Sequence, residues 1–389
     1  MLKSYKYRIY PTKNQEILLN KHLGSVRFLY NLALETKKEA WKKSGVSLSR
    51  YELSRQTKDL KEDLDWLKEV NSQSLQSALK NLDDAYTNFF KGRSKFPRYK
   101  SKSKGRQSFN VPQNVKLVNN KLVIPKFKEG INVKIHRELE GQIRQATISK
   151  TPTGKYFVSI LVKTNNEQPP KPEVTESNTI GIDLGIKDFL ITSDGQTIDN
   201  PKHLRELESK LKFIQRRYSK YRGKKNKKKL QNLHEKIKNK RKDFLHKVSS
   251  ELVRENQSIA LEDLNVSGMV KNHKLAKSIS DASWSTFVRM LEYKADWYGV
   301  NVMKIGRFEP SSKTCSECGN VNQKLELKDR IWTCDSCNTT LDRDLNAAVN
   351  IKLFSLNNLS GGPRLENHGE LPSVEGVKTH EAHRSLVSG

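Results

Sequence analysis

Between Lys3 and Tyr10 polar and apolar residues alternate, with Tyr5, Tyr7 and Ile9 on one face, and this period predicts a half-buried strand that stops at Pro11. From Asn14 to about Arg93 the period lengthens. Leu75, Leu79, Leu82 and Phe89 recur three, four or seven apart, which predicts helices with one buried stripe. Strand signals then return: Val115–Val118 and Leu122–Ile124 flank an Asn119-Asn120 turn, Ile131, Val133 and Ile135 alternate, and two further strands flank Pro152–Gly154. A lone N-terminal strand needs a partner. The pattern therefore predicts one antiparallel β-barrel from residues 1–10 and 96–163, with a helical domain of residues 11–95 inserted between its first and second strands.

Residues 164–178 carry Pro169, Pro170 and Pro172 among polar residues and read as a linker. An apolar strand, Thr179–Leu184, and a short second one, Phe189–Thr192, turned by Asp194-Gly195, open the next domain as a meander. Two long charged helices fill Pro201–Asn256, followed by a strand at Ser258–Leu264, a helix at Trp284–Tyr298 and a strand at Val300–Gly306. The last helix lies near Arg343–Phe354. These elements predict an α/β domain over 179–310 and 342–357, interrupted by a cysteine module at 311–341, and a disordered tail at 358–389. The whole is a multidomain α+β chain.

Charge turns this outline toward a polyanion. Among 389 residues, 72 Lys and Arg stand against 43 Asp and Glu, a formal charge of +29 that repels itself wherever no phosphate or acidic partner lies alongside. No apolar run approaches a membrane span and the N-terminus lacks the apolar core of a signal peptide, so the expected location is the cytoplasm, at the nucleoid, with no membrane partner. The bias is concentrated. Between Arg216 and Lys242 fourteen Lys or Arg face one acid, Glu235, and Arg216, Arg217, Lys224, Lys225, Lys227, Lys228 and Lys229 are candidate phosphate contacts at the break between the two helices. A smaller basic stretch, Lys91–Lys104, includes Phe96 and Tyr99, a pattern suited to backbone contact with occasional base stacking.

Four cysteines occur, as Cys315-x2-Cys318 and Cys334-x2-Cys337. Each close pair supplies two thiolates to one tetrahedral ion, so the spacing predicts a zinc ribbon; a sphere closed by four thiolates activates no water, so this zinc is structural. The carboxylates differ. Asp183 and Glu262 sit at the ends of apolar strands, where an ionised group is expensive unless a cation offsets it, and Asp344 opens the final helix. An acid on the first strand of a meander, one ending a later strand and one opening the last helix follow the ribonuclease-H-like plan, in which three acids hold two magnesium ions for phosphodiester hydrolysis.

The stretches GIDLG around Asp183, FLHK at Phe244–Lys247, LEDLNV around Glu262, FEPSSKTCSECG at Phe308–Gly319 and CDSCNTTLDRDLNAAVN at Cys334–Asn350, with the N-terminal KYRIYPTKNQ, resemble the TnpB (OrfB) family of transposon-encoded proteins, which is related to type V CRISPR effectors. The resemblance implies a magnesium-dependent, RNA-guided DNA endonuclease. It also implies a RuvC nuclease domain, a wedge barrel, a helical recognition domain, a guide RNA from the transposon end, and double-stranded target DNA cut beside a short adjacent motif. By the same resemblance the catalytic acids and magnesium ligands are Asp183, Glu262 and Asp344, the zinc ligands are the four cysteines, and Tyr51, Gln76, Lys80 and Asn110 fall in the motif-contacting region. Asp342 stands beside Asp344 as a possible assistant. The alternative is a non-catalytic RNA-guided or zinc-ribbon DNA-binding regulator that keeps the acids as relics.

Overall fold

The alternating N-terminal stretch forms strand β1 (Leu2–Tyr10), which buries Tyr5, Tyr7 and Ile9. The computed structural model describes residues 1–359 apart from 104–106, 166 and 327, so the tail expected to be disordered falls, from 360 onward, outside the described residues. Three helices follow β1. A capping box between Thr12 and Gln15 starts α1 (Lys13–Ser44), which ends at Gly45 with φ 64°, a left-handed turn that glycine adopts without strain. Ser49 and Glu52 form a second box at α2 (Arg50–Asp63), and Asn71 caps α3 (Ser72–Phe90). The buried His22 of α1 ties that helix to the start of α3: its Nδ1 lies 2.8 Å from the Leu18 carbonyl of its own helix, and its Nε2 accepts from the Asn71 N–H at 3.0 Å. Burial holds its pKa below the usual histidine value, which suits the neutral ring that both bonds require.

Strands β2 (Gln107–Val111), β3 (Lys116–Val118), β4 (Lys121–Ile124), β5 (Phe127–Lys134), β6 (Gln142–Lys150) and β7 (Tyr156–Lys163) complete a sheet in the order β2-β6-β7-β1-β5-β4-β3. Strand β1 is central, antiparallel to β7 from Leu2↔Lys163 to Ile9↔Tyr156 and to β5 at Arg8↔Lys134. The expected barrel is corrected to an open sheet. Among the described residues its end strands, β2 and the three-residue β3, share no ladder.

The second sheet draws on β8 (Thr179–Asp183), β9 (Asp188–Thr192) and β10 (Thr197–Asp199), and the chain then runs through α4 (His203–Glu206), α5 (Glu208–Lys220) and α6 (Lys224–Glu255) to β11 (Ser258–Glu262). Short helices α7 (Val266–Met269) and α8 (Ala276–Ala282), then α9 (Trp284–Tyr298), lead to β12 (Asn301–Ile305). The hairpin β13 (Ile331–Thr333) and β14 (Thr340–Asp342) precedes α10 (Arg343–Leu359). The sheet order is β10-β9-β8-β11-β12, with β8, β11 and β12 mutually parallel. The inner two of these, β8 and β11, are buried on both faces, as strands inside a parallel sheet are. Ile259 and Leu261 pack with Leu245, Val248 and Leu252 of α6 and Phe287 and Leu291 of α9, while Ala260 packs with Ile305 and Ile351 of α10.

Among the described residues the chain divides into two units, residues 1–168 with 204–240, and 169–203 with 241–359. Residues 204–240 group with the first unit. Leu211, Leu233 and Ile237 give this hairpin its own small core, and Glu235 accepts from the Thr153 hydroxyl at 2.6 Å and pairs with Lys155 at 3.3 Å. Among the described residues no helix is long and apolar enough to cross a membrane.

Candidate metal centres and nucleic-acid-facing surfaces

Strands β8 and β11 run parallel with Ile182 opposite Leu261, so Asp183 and Glu262, the next residue of each, end neighbouring strands at one level. Helix α10 lies across β8 at close range. A Cβ on Gly181 would stand 2.0 Å from the Ala348 carbonyl oxygen and 2.8 Å from the Lys352 nitrogen, so this position admits only glycine while the helix keeps its place. That approach sets Asp344, one turn before Ala348, toward the carboxyl ends of the strands. Burial, then the charges of Glu262 and Asp344, push Asp183 up to about 7 against the opposing pull of Arg343 and the Leu184 N–H. The three acids share one field, and it is negative.

Their oxygens are not gathered as tightly as a ligand shell. Among the described residues only the four cysteines form a group of three or more ligand atoms within 4.8 Å of one another. Asp344 is turned into two arginines, Arg330 Nη1 at 2.6 Å and Arg343 Nη2 at 2.9 Å, and Glu262 accepts from the Ser311 hydroxyl at 2.5 Å. Asp342 has a separate task. One of its oxygens accepts from the N–H groups of Asp344 at 3.0 Å and Leu345 at 2.9 Å, the bonds of a helix N-cap.

The cysteines come together as their spacing predicts. Cys315 and Cys337 stand 3.6 Å apart, as do Cys318 and Cys334. A zinc tetrahedron with bonds of about 2.3 Å has edges of about 3.8 Å, so the four sulfurs fit that ion. Backbone N–H groups of Cys337 and Ser336 hold Cys334 below the usual thiol value, and the nearby Thr339 hydroxyl helps bring Cys337 down to about 6; burial pushes Cys315 up to about 12. Two thiols are thus shifted toward the ligating thiolate even before a cation adds its field.

Tyr51, Gln76 and Lys80 are exposed on α2 and α3, and Gln76 accepts from the Ser54 hydroxyl at 2.8 Å, which links the two helices at that surface. Asn110 lies in β2, where its amide donates to Gln145 at 3.1 Å. Arg216 and Arg217 of α5 and Lys224, Lys225, Lys227, Lys228 and Lys229 of α6 are all exposed. Five lysines in the first turns of a helix repel one another and its positive dipole end, a cost that an anionic partner removes. Motif reasoning missed Ser311, Arg330, Asn346 and Asn350. The Asn-x3-Asn spacing on an otherwise apolar helix face was the available signal.

A mixed α+β protein with a four-thiol cluster of metal-binding type, and beside it carboxylates at adjacent parallel strand ends, is the class that fold and site define. Residues 159–273 match a family model described as "Probable transposase", residues 284–351 one described as "Cas12f1-like, TNB domain", and residues 1–45 one described as "Helix-turn-helix domain", a stretch that here holds β1 and the single helix α1. The chain is 42% identical to a protein of Streptomyces pristinaespiralis named "Putative RNA-guided DNA endonuclease", over 90% of this chain and 88% of that one. It is 29% identical to InsQ of Escherichia coli (strain K12), which carries the same description, over 90% and 91%. A solved Cas12f1-sgRNA-target DNA complex is similar at 16% identity and a TM-score of 0.37, covering 90% of this chain and 99% of that one. The chain belongs to the TnpB (OrfB) family.

Proposed function

We propose that this protein is an RNA-guided DNA endonuclease that cuts double-stranded DNA beside a short adjacent motif, with a guide RNA from the transposon end. The carrying observation is the level pairing of Asp183 and Glu262 on parallel strands, with Asp344 near enough to raise the Asp183 pKa. Membership of a family whose relatives bear that name supports it. In this reading the second unit is a RuvC-type nuclease, the first carries a wedge-like sheet and recognition helices, and the four cysteines hold a structural zinc.

Asp183, Glu262 and Asp344 would hold two magnesium ions. Divalent cations held there would supply the Lewis acidity that activates water toward phosphorus and offsets charge on the leaving 3′ oxygen. The chain does the rest. Ser311 orients the Glu262 carboxylate, while Arg343 and Arg330 temper the charge of Asp344. The lysines and arginines of α5 and α6 neutralise backbone phosphates, and base pairing with the guide selects the sequence. Tyr51, Gln76, Lys80 and Asn110 meet the adjacent motif.

The test begins with the Asp183→Ala protein purified from cells carrying its native flanking DNA, whose bound RNA is sequenced. One abundant RNA reading into flanking DNA, and target cleavage by the wild type with that RNA but not by Asp183→Ala, is the expected result. DNA held but left uncut by the wild type in magnesium would favour a regulator.

A further inference from the structure

We infer that Ser311, Asn346 and Asn350 form a positioning brace that ties the orientation of Glu262 to the cysteine cluster; the Glu262 part rests on the nuclease reading above. Asn346 and Asn350 lie one helical turn apart on α10 and are 2% and 1% exposed, and the segment they face holds the buried Ser311 and Thr314. Asn350 spends its amide on two backbone carbonyls, Ser311 at 2.7 Å and Thr314 at 2.6 Å. Asn346 donates to the Thr314 carbonyl at 2.7 Å and accepts from the Ser316 N–H at 2.9 Å, inside the first cysteine knuckle. The line continues from Ser311, whose hydroxyl reaches Glu262 at 2.5 Å.

The chemistry needs these residue types. A primary amide offers two donors and an acceptor on one planar group, and asparagine places them close to the helix, where the carbonyls of a tight loop come within reach. Aspartate would set negative charge against those carbonyls, and an apolar residue would leave them buried and unsatisfied. The same helix is pinned to the strand of Asp183 by the close approach at Gly181. One element therefore carries Asp344, grips the loop that leads to Cys315 and, through Ser311, limits how Glu262 can turn. Loosening the knuckle slackens Ser311, and the carboxylate loses its donor.

The test uses the full chain with the RNA that accompanies it. Manganese binding is followed by electron paramagnetic resonance, the signal lost in Asp183→Ala defining the carboxylate site, and zinc release to a chelator is followed on the same samples. Removing one hydrogen bond to a carboxylate should weaken the Asp183-dependent binding about 5-fold in Ser311→Ala, with Ser311→Thr restoring it and zinc release unchanged in both. Asn350→Ala and Asn346→Ala should weaken it too and also release zinc about 10-fold faster, because they strand buried carbonyls beside the knuckle. A general packing defect would not separate the two readouts or be rescued by threonine. Manganese binding by Ser311→Ala at the wild-type level, or zinc release from Asn350→Ala at the wild-type rate, would overturn the brace. A wild type with no Asp183-dependent manganese would sink the nuclease reading instead, and zinc release would still judge the asparagines.

Discussion

Cys315, Cys318, Cys334 and Cys337 come from one short stretch and converge until their sulfurs lie within 4.8 Å of one another. Asp183, Glu262 and Asp344 come from two strands and a helix far apart in the chain, and they share a field without closing into a shell. The difference lies in what holds each set. Two tight knuckles and a hairpin bring the thiols together, so their spacing is legible in the sequence, and Asn346 and Asn350 steady the first knuckle from α10. The carboxylates depend on the strand register at Ile182↔Leu261, on the helix seated at Gly181 and on donors such as Ser311. A locally encoded centre should tolerate distant changes, and a topologically encoded one should not.

The largest effect expected from that contrast is at the acids themselves. Asp183→Ala, Glu262→Ala or Asp344→Ala should lower cleavage at least about 1,000-fold, since several kcal/mol of metal-borne stabilisation disappear, while binding of guide and target persists in a gel-shift assay. Any of them cutting at the wild-type rate would remove that residue from the site. Next comes a change that touches no carboxylate. Gly181→Ala drives a methyl into the α10 backbone and should cost about 1–3 kcal/mol of stability, with cleavage down about 10- to 100-fold as Asp344 shifts, and zinc content unaltered. Thermal melting, metal analysis and cleavage on one preparation check all three. If zinc is lost as well, the two centres are less independent than the comparison holds.

Cys315→Ser probes the opposite direction. It should abolish zinc binding, measured by elemental analysis, and reduce cleavage about 10-fold through the loop that joins Ser311 to the knuckle. Unchanged cleavage without zinc would make the ribbon a separate body with no hold on Glu262.

How much of this was legible before any coordinates follows the same divide. Alternation at Tyr5, Tyr7 and Ile9 marked β1, and the apolar run before Asp183 marked β8, because burial on one face or both leaves a period in the sequence. Cysteine spacing marked the thiol cluster. Sheet closure was not legible, since β3 has three residues and pairing at an edge leaves no hydrophobic signature. Nor was the packing of residues 204–240 with the first unit, where a bond from Thr153 to Glu235 looks in sequence like two surface polar residues. Ser311 left no signal and the two asparagines only their Asn-x3-Asn spacing, for a related reason: the asparagines bond backbone atoms, which every residue possesses.

The last expected effect concerns protons. In the presence of a chelator the Asp183 carboxyl in the folded chain is pushed up to about 7 from the ordinary aspartate value of 3.8, chiefly by burial and then by Glu262 and Asp344. The folded chain therefore holds a proton that the unfolded chain has given up between those values, and its stability must fall as pH rises across that window. The favourable contribution is complete below about 4 and gone above about 7. Denaturant titrations of metal-free protein at pH 5.5 and pH 8 should show the wild type relatively more stable at the lower pH than Asp183→Asn, whose amide neither titrates nor repels its neighbours. Added magnesium should erase the difference at pH 8, because a cation at the carboxylates takes over the proton's role. An identical pH profile for wild type and Asp183→Asn would mean that the three acids do not crowd one another, and the contrast with the thiol cluster would then rest on sequence distance alone.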